Sequence, residues 1–557
     1  MFRRRMKHGK RYQEIIGALI RNGLGYLIND FGLAELLSVS PKKTDTPRAN
    51  HRSTGERIRL FLEDLGPTFI KLGQLASLRR DLLPESIIVE LEKLQDCAPP
   101  FSYDEVKNTI ESEFGASIDD LFAEFNTEPL ATASIGQVHQ AKLHTEEPVA
   151  VKIQRPNIRP QIETDLEILE DLSIMLESRF AWAKAYQLRD IVDEFSQALL
   201  SELDYYLEGR NAERFAKQFE DDANIRIPSI YWDFSTKKVL TMAYIKGRKI
   251  SEFFDGDVIG YRRKVISDRL IHSMLKQIFI DGFFHGDPHP GNLLVLPGDI
   301  LAYMDFGMVG RLTEETKYHC ASLVIALMRA DSNAIIKSVD AIAAIPDDID
   351  LHLLREDVEV IREKYYDIPI SQLSLKDAIN DLYHIAFKYH IRFPADLTIL
   401  AKSLITVEGV VQSLDPAFSL IEAARPFGEK LLRDRYHPKK VVQKSWKTFL
   451  DQMEIALELP KNLRDISKTM RKGKFRMEVV VPDLHLFLEK LDRISNRLSF
   501  AIVLLAFSIM MVGLMIGTSI SGQPTLIWKN PIIEIGFGVA TLMLLWLLFS
   551  IFKSGKF

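Results

Sequence analysis

The chain has 557 residues, of which 71 are Lys or Arg and 76 are Asp or Glu, so its net charge is −5. This balance excludes the overall basic field of a nucleic-acid-binding protein, and an apolar content of 46% excludes a disordered chain. Two cysteines, Cys97 and Cys320, are too few for a disulfide framework or a zinc cluster and favour a reducing compartment.

Residues 1–100 are predicted to form a helical extension. The first eleven residues contain six Lys or Arg, but Glu14 and Arg21 interrupt the apolar run that a signal peptide needs. We therefore expect an amphipathic helix, either on an anionic membrane surface or as a solvated helix end. Gly66-Pro67 predicts the start of a later helix in the same extension.

Two lobes are predicted after the extension. Residues 101–245 contain the strand patterns LATASIGQVHQAKL, PVAVKIQ and VLTMAYI, with long helical stretches at 159–180 and 187–220. Residues 246–430 are mostly helical, interrupted by HGDPHPGNLLVLPGDILAYMDFG, which has the pattern loop, strand, turn, strand, loop. The fold class is therefore α+β, with a small strand-bearing lobe before a larger helical lobe.

A basic connector and a membrane hairpin are predicted at the end of the chain. Within the connector, 431–498, residues 461–476 carry seven Lys or Arg against one Asp and could bind anionic headgroups. Residues 499–521 and 535–552 are apolar runs of the length that crosses hydrocarbon as a helix. Residues 499–557 therefore predict two transmembrane helices.

The charges around this hairpin predict its orientation. Basic residues flank the outer ends of both spans, whereas the loop between them has Lys529 alone, so both termini are expected in the cytoplasm. Gly513 and Gly517 form a GxxxG pattern, which is compatible with self-association through the transmembrane helices. The flanking basic residues are Lys490, Arg493, Arg497, Lys553 and Lys556.

Four side chains suggest phosphoryl transfer. This reaction needs positive charge on the phosphates, a divalent ion held by oxygen ligands, and a group that places the acceptor. Lys152 ends the strand VAVK, from which a kinase lysine reaches the α and β phosphates. Asp287 and Asn292 stand five residues apart in HGDPHPGN, and Asp305 of the DFG triplet follows thirteen residues later. Asparagine and aspartate supply the hard oxygen ligands that Mg²⁺ prefers.

The order of these residues, with a helical Glu between them, matches a protein-kinase-like arrangement. Two departures argue against an ordinary protein kinase. Gly286 replaces the Arg of the H-R-D triplet, and no A-P-E follows DFG. Instead GRLTEE leads quickly into a helix with Thr313 as the expected N-cap, which leaves little chain for binding a peptide substrate.

A metal hydrolase is the alternative from a different class. His285, Asp287 and His289 form an H-x-D-x-H pattern that could hold a transition metal. The intervening Pro288 and Pro290, and the downstream Asn and DFG, fit this alternative poorly.

The motifs together resemble the UbiB family of atypical kinase-like proteins. The resemblance lies in KLGQ (71–74), ATASIGQVH (131–139), SELDYYLEGRNAERF (201–215), HGDPHPGN and MDFG, and covers roughly residues 55–330. It implies a two-lobed kinase-like fold, binding of ATP and Mg²⁺, and ATPase or kinase activity. It also implies support of isoprenoid quinone (ubiquinone) biosynthesis at the bacterial inner membrane. The implied partners are membrane lipids, quinone precursors and quinone-biosynthesis enzymes.

The resemblance implies a role for each motif residue. Lys152 is expected to pair with Glu208, Asp287 to act as the base or orienting group, and Asn292 and Asp305 to hold the metal. The alanine-rich nucleotide loop comprises Ala131, Thr132, Ala133, Ser134, Ile135, Gly136, Gln137 and Val138. Family members usually have alanine at the second position, so Thr132 leaves the nucleotide preference open.

A lid over the cleft is the last expectation from the resemblance. Lys71 and Gln74, at i and i+3 of one helix, share a face. We expect them to bond to the carboxylates of Glu202 and Asp204 and to block entry of a protein substrate. Glu202, Asp204 and Glu208 are placed on one predicted helix.

Three functions stay open at this point. The first is an ATPase-like accessory that extracts or presents quinone precursors. The second is a small-molecule kinase, because HGD-x-H-x-x-N also resembles the loop of aminoglycoside and choline phosphotransferases. The third is a pseudokinase scaffold, which the presence of every metal- and phosphate-binding residue disfavours.

Overall fold

The structure is a computed structural model that divides into two compact units, Met1–Lys444 and Ser445–Phe557. The predicted basic segment 461–476 lies outside the described residues, and so do the two predicted spans apart from isolated positions. The described residues are 8–30, 52–94, 99–256, 258–329, 331–343, 345, 349–366 and 374–435, with isolated positions between 498 and 542.

Helices fill the described part of the N-terminal extension, as predicted. The helix expected at Gly66-Pro67 begins at Pro67, because proline at the first helical position has no N–H to leave unpaired. The helices are α1 (Gly9–Arg21), α2 (Tyr26–Asp30), α3 (Thr54–Leu65), α4 (Pro67–Ser77) and α5 (Glu85–Leu91).

Helix α1 packs against protein along its apolar face. Its Tyr12 and Ile15 are buried in a cluster with Phe69 of α4. Arg11 donates from Nε to the buried Asp165 carboxylate at 2.7 Å. The apolar face that would enter a membrane surface is therefore covered by the protein's own core.

The smaller lobe is a four-stranded antiparallel sheet in the order β1-β2-β3-β5. Alternate residues of β3, Val149, Val151 and Ile153, are buried against a helix that precedes the sheet. The sheet strands are β1 (Glu124–Thr132), β2 (Gly136–Lys142), β3 (Pro148–Gln154) and β5 (Val239–Ala243), and the preceding helices are α6 (Tyr103–Phe114) and α7 (Ile118–Leu121).

The helical stretch predicted at 187–220 is two helices, which corrects the single-helix expectation for Glu202, Asp204 and Glu208. One helix ends at Glu202, and Asp204 caps the next by accepting a hydrogen bond from the Tyr206 N–H at 3.1 Å. An aspartate satisfies the free N–H groups of a new helix, so the chain restarts there. The helices after β3 are α8 (Ile158–Arg179), α9 (Ala181–Ala185), α10 (Leu188–Glu202) and α11 (Tyr205–Gln218).

The larger lobe contains a second four-stranded sheet, β4-β9-β8-β6, and the antiparallel pair β7-β10. Its strands are β4 (Ile225–Arg226), β6 (Arg248–Lys249), β7 (Phe283–His285), β8 (Leu293–Leu296), β9 (Ile300–Tyr303) and β10 (Val309–Arg311). Its helices are α12 (Arg263–Leu275), α13 (Glu314–Met328), α14 (Ser332–Ile342), α15 (Leu351–Tyr366), α16 (Leu375–Lys388), α17 (Ala395–Leu414) and α18 (Leu420–Arg435).

Helix α17 is long and apolar enough to cross a membrane, and it alone passes that test within the described ranges. Half of its apolar window is buried inside the protein. Leu400, Val407 and Val410 belong to the same core cluster as Phe283 and Phe306. We therefore interpret α17 as a core helix of the larger lobe.

Candidate active site

Strand β3 places Lys152 at the junction of the two lobes. The residues on either side of it, Val151 and Ile153, point into the core, so the lysine emerges on the opposite face. Its Nζ lies 2.8 and 2.9 Å from the two carboxylate oxygens of Glu208 and 3.2 Å from Oδ2 of Asp305. The expected pairing of Lys152 with Glu208 is therefore present, and Asp305 joins it.

The three charges shift one another's pKa values. Burial lowers the pKa of Lys152, but the Asp305 and Glu208 carboxylates outweigh it and raise that pKa well above its usual value. Burial raises the pKa of Glu208 to about 7, against the opposing effect of Lys152. Loss of hydration raises the pKa of Asp305, yet Lys152 and the Gly307 N–H lower it to about 2. A protonated lysine and an ionised Asp305 therefore coexist at neutral pH.

Helix α11 contacts both Lys152 and the DFG segment. It carries Glu208, and one turn later Asn211 donates from Nδ2 to the backbone carbonyl of Phe306 at 3.1 Å. The Phe306 ring is buried between Phe215, at 5.3 Å, and His285, at 5.7 Å. The helix thus fixes the lysine's partner and the DFG segment relative to each other.

The catalytic loop, residues 285–292, is organised by its own hydrogen bonds. His285 is buried, and its Nδ1 accepts from the Asp287 N–H at 3.1 Å. Burial lowers the pKa of His285, so the imidazole is neutral and acts as a brace. Asn292 donates from Nδ2 to the Asp287 carbonyl at 3.1 Å, which presents its Oδ1 as an acceptor.

Asn292 and Asp305 carry the kinds of oxygen atom that Mg²⁺ prefers as ligands. Oδ1 of Asp305 accepts from the Gly307 N–H at 2.9 Å, and 47% of the side chain is exposed, so a metal can reach it. Carboxylate and amide oxygens are hard ligands, and these two residues fit Mg²⁺ in the company of phosphate and water.

The metal-hydrolase alternative lacks its geometry. The described residues contain no group of three or more His, Cys, Asp or Glu side chains that could hold a metal. Both histidines of the pattern are turned to the loop backbone, since Nδ1 of His289 accepts from the Gly291 N–H at 3.2 Å.

Asp287 is partly exposed and has a partner that sequence reasoning missed. Its Oδ1 is 2.9 Å from Nζ of Lys402 on α17, and about a third of each side chain is exposed, 35% and 34% respectively.

Thr313, as expected, caps α13 by accepting from the Thr316 N–H at 3.1 Å. The chain between DFG and α13 is short, and β10 within it pairs directly with β7.

The alanine-rich loop is the turn of the β1-β2 hairpin. Ala131 and Thr132 pair with Val138 and Gln137, and the turn closes through a 2.8 Å hydrogen bond from the Ala133 N–H to the Gly136 carbonyl. The side chains of Ser134, Ile135 and Gln137 are buried.

Two members of this loop point away from the nucleotide side. The Gln137 side chain accepts from the Phe101 N–H at 3.1 Å, and Ile135 packs with Phe69 and Leu72 of α4. At Gly136 a Cβ would overlap the Tyr205 hydroxyl and lie 2.6 Å from the Ile153 carbonyl, so only glycine fits. The side chains of Ile135 and Gln137 are therefore held by the protein itself.

An apolar surface adjoins Lys152. Val138 and Leu240 are its cross-strand neighbours on β2 and β5, and Ala150 shares its face two residues earlier. Together with Met242 they form one cluster. Ala150 and Met242 were not predicted as site residues, although strand alternation around Lys152 could have indicated them.

One of the contacts expected of the lid is present. Lys71 on α4 forms an ion pair with Glu202 at 3.4 Å, and each side chain is only 14% exposed. Gln74 donates from Nε2 to the Leu94 carbonyl at 3.1 Å, and Asp204 serves as the α11 cap. The structure thus connects KLGQ to the end of α10, while the effect on substrate entry stays a prediction.

Fold and site together define a kinase-like protein. The ABC1 atypical kinase-like domain matches residues 93–339, the UbiB helical domain 358–419, and the ABC1/UbiB kinase-like C-terminal domain 482–553.

Known proteins similar to this chain extend over most of its length. A probable protein kinase UbiB of Xylella fastidiosa is 33% identical over 81% of this chain and 83% of its own. An uncharacterized protein of Synechocystis is 35% identical over 77% and 74%, and one of Clostridium pasteurianum 30% identical over 98% and 99%. The chain belongs to the ABC1/UbiB family of atypical kinase-like proteins.

Proposed function

We propose that this UbiB-family protein is an ATP-dependent phosphoryl-transfer enzyme, an ATPase or a kinase, that supports isoprenoid quinone (ubiquinone) biosynthesis at the membrane. One observation carries the enzymatic part. The Lys152 ammonium is held 2.8 Å from Glu208 and 3.2 Å from Asp305, in the arrangement that phosphoryl transfer uses to grip a nucleotide.

Different residues of the site would contact different parts of the nucleotide. The apolar cluster of Val138, Ala150 and Met242 would receive the base, while Lys152 would hold the α and β phosphates. Glu208 keeps the lysine in place from the buried side. Asn292 and Asp305 would hold Mg²⁺, which when bound neutralises charge on the β and γ phosphates.

Asp287 would orient the acceptor and take its proton. The acceptor is water in the leading form of the proposal, an accessory ATPase whose turnover extracts or presents membrane-embedded quinone precursors. The exposure of Asp287 supports either water or a small hydroxyl compound as the acceptor, since 35% of the side chain is open to solvent.

A small-molecule phosphotransferase is the second candidate, and the short segment after DFG supports it. Six residues separate Gly307 from α13, and three of them form β10 against β7. This leaves no long loop on which a peptide acceptor would lie, so the phosphoryl acceptor is expected to be small.

Membrane attachment is also part of the proposal. The predicted hairpin overlaps the match to the ABC1/UbiB C-terminal domain. Positions of the first span that the structure describes are helical, and their apolar side chains, such as Ile502, Leu505 and Ile509, are 57–64% exposed. Exposed apolar side chains within an apolar run of this length fit contact with lipid, with the kinase-like unit on the cytoplasmic side.

The test is ATP turnover by the full-length protein in liposomes, with and without polyprenyl quinone precursors, beside a matched Asp305→Asn protein. Stimulation by precursors or lipid supports the accessory ATPase, and labelled phosphate on a metabolite supports the phosphotransferase. Nucleotide binding without turnover in the wild type would instead indicate a pseudokinase scaffold and contradict the proposal.

A further inference from the structure

Lys402 stands at the catalytic loop but comes from a different part of the chain. It lies on α17, inside the segment that matches the UbiB helical domain and beyond the kinase-like match at 93–339. Its Nζ is 2.9 Å from Oδ1 of Asp287, across 115 residues of sequence. The helical domain therefore places a cation beside the residue proposed to handle the acceptor.

The position of Lys402 is fixed by the next residue and the previous turn of α17. The Ser403 Oγ lies 2.9 Å from the Gly286 carbonyl, 3.1 Å from the His285 carbonyl and 2.8 Å from the Ile399 carbonyl of its own helix. A Cβ on Gly286 would come within 2.9 Å of the Ile399 side chain. The helix is thus packed directly on the loop, and this explains why glycine replaces the usual arginine there.

The catalytic loop itself offers no lysine or arginine. The sequence HGDPHPGN contains neither residue, and Nδ1 of its buried His285 accepts a hydrogen bond from the Asp287 N–H. Lys152 is not in this loop, and its Nζ already contacts Glu208 and Asp305. The phosphoryl group in transfer carries negative charge on three oxygens, and a fixed cation there accelerates such reactions strongly.

We infer that Lys402 is a further catalytic residue, whose ammonium contacts the γ-phosphoryl group of the bound nucleotide while it holds Asp287. An ammonium has three N–H donors, so it can bond a carboxylate and a phosphate oxygen together. The inference rests on the proposed function, because it assigns a role within ATP turnover.

Lys402 assists transfer of the γ-phosphoryl group from the nucleotide to the acceptor. The acceptor oxygen forms a bond to the γ phosphorus, and the bond from that phosphorus to the β,γ-bridging oxygen breaks. The electron pair stays on the bridging oxygen of ADP, and the acceptor's proton passes to Asp287. Lys402 stabilises the γ oxygens throughout and takes no proton.

The experiment compares full-length wild type with Lys402→Met and Lys402→Arg. Lys388→Met is the control, since Lys388 is also paired with a carboxylate, Asp357, but on the surface of α16. Turnover and the affinities for ADP and for the non-hydrolysable AMP-PNP are measured for each protein.

We expect Lys402→Met to lower kcat about 100-fold and AMP-PNP affinity about tenfold, with ADP affinity within twofold, since only the γ phosphate loses a contact. Lys402→Arg should recover most of the loss, and Lys388→Met should match wild type. Equal losses for ADP and AMP-PNP, or no loss of either, would overturn the inference. A wild type that binds nucleotide without turnover would defeat the proposed function, while the AMP-PNP to ADP ratio would still test Lys402.

Discussion

The two ends of the cleft are built differently. At the nucleotide end, Lys152 and Glu208 are almost enclosed and joined by two hydrogen bonds. At the acceptor end, Asp287 and Lys402 are joined by a single contact and a third of each is exposed. The pair of Lys152 and Glu208 is therefore held by two hydrogen bonds without any ligand, whereas the pair of Asp287 and Lys402 stays accessible to a ligand.

The largest expected effect is at the nucleotide end. Asp305→Asn should lower ATP turnover on the order of 10³-fold, because the amide removes the charge that holds Lys152 and the metal. Circular dichroism should show a retained fold. Asp221→Asn, at an exposed carboxylate, is the control and should keep wild-type turnover. Full activity in Asp305→Asn would mean that this end is not the site of chemistry.

The enclosure of Glu208 predicts a pH dependence of stability. Its pKa in the folded protein is raised to about 7, so its contribution is present in full below the unfolded value and is lost as pH rises through 7. Relative to Glu208→Gln, the free energy of unfolding of the wild type should fall by a few kcal/mol between about pH 4 and pH 7. Denaturation of both proteins across this range measures the difference. If the difference in the free energy of unfolding between wild type and Glu208→Gln did not change with pH, burial would not be destabilising the charged form of Glu208.

The packing of α17 on the catalytic loop predicts a smaller change. Gly286→Ala should destabilise the protein by about 1–3 kcal/mol, because the added methyl meets Met308 at 2.7 Å and Ile399 at 2.9 Å. Gly409→Ala on the same helix has open space and should be neutral or stabilising by up to about 1 kcal/mol. Thermal unfolding of the two variants measures the difference. Equal melting temperatures for Gly286→Ala and Gly409→Ala would show that the loop at Gly286 relaxes to accept the added methyl group.

The smallest expected effect is at the lid. Lys71→Ala should change turnover by less than about tenfold and alter the preference between ATP and ADP, because it removes the ion pair with Glu202 without touching Lys152. Glu202→Gln removes the same pair and should reproduce the change. Unaltered turnover and selectivity in Lys71→Ala would reject the lid hypothesis.

Local patterns predicted most of the elements and the core of the site. VAVK was predicted as a strand with Lys152 at its end, and HGDPHPGN with DFG predicted the loop, the strands and the oxygen-bearing side chains. Each of these signals lies in a short run of neighbouring residues, so it can be read from the sequence alone.

Contacts made by tertiary packing were not predictable in the same way. Lys402 is a lone lysine in an apolar helix, and only the docking of α17 brings it to Asp287. Gln137 was included in the nucleotide loop because the family resemblance implied it. The strand pairing of β2 turns that side chain to Phe101 instead.

If side chains from both lobes meet around a metal-bound nucleotide, Mn²⁺ and ADP should bind together, and electron paramagnetic resonance measures the binding of Mn²⁺. The wild type should bind the metal and nucleotide together, and both Asn292→Ala and Asp305→Asn should weaken metal binding by at least about tenfold. Identical Mn²⁺ affinity in all three proteins would contradict the account.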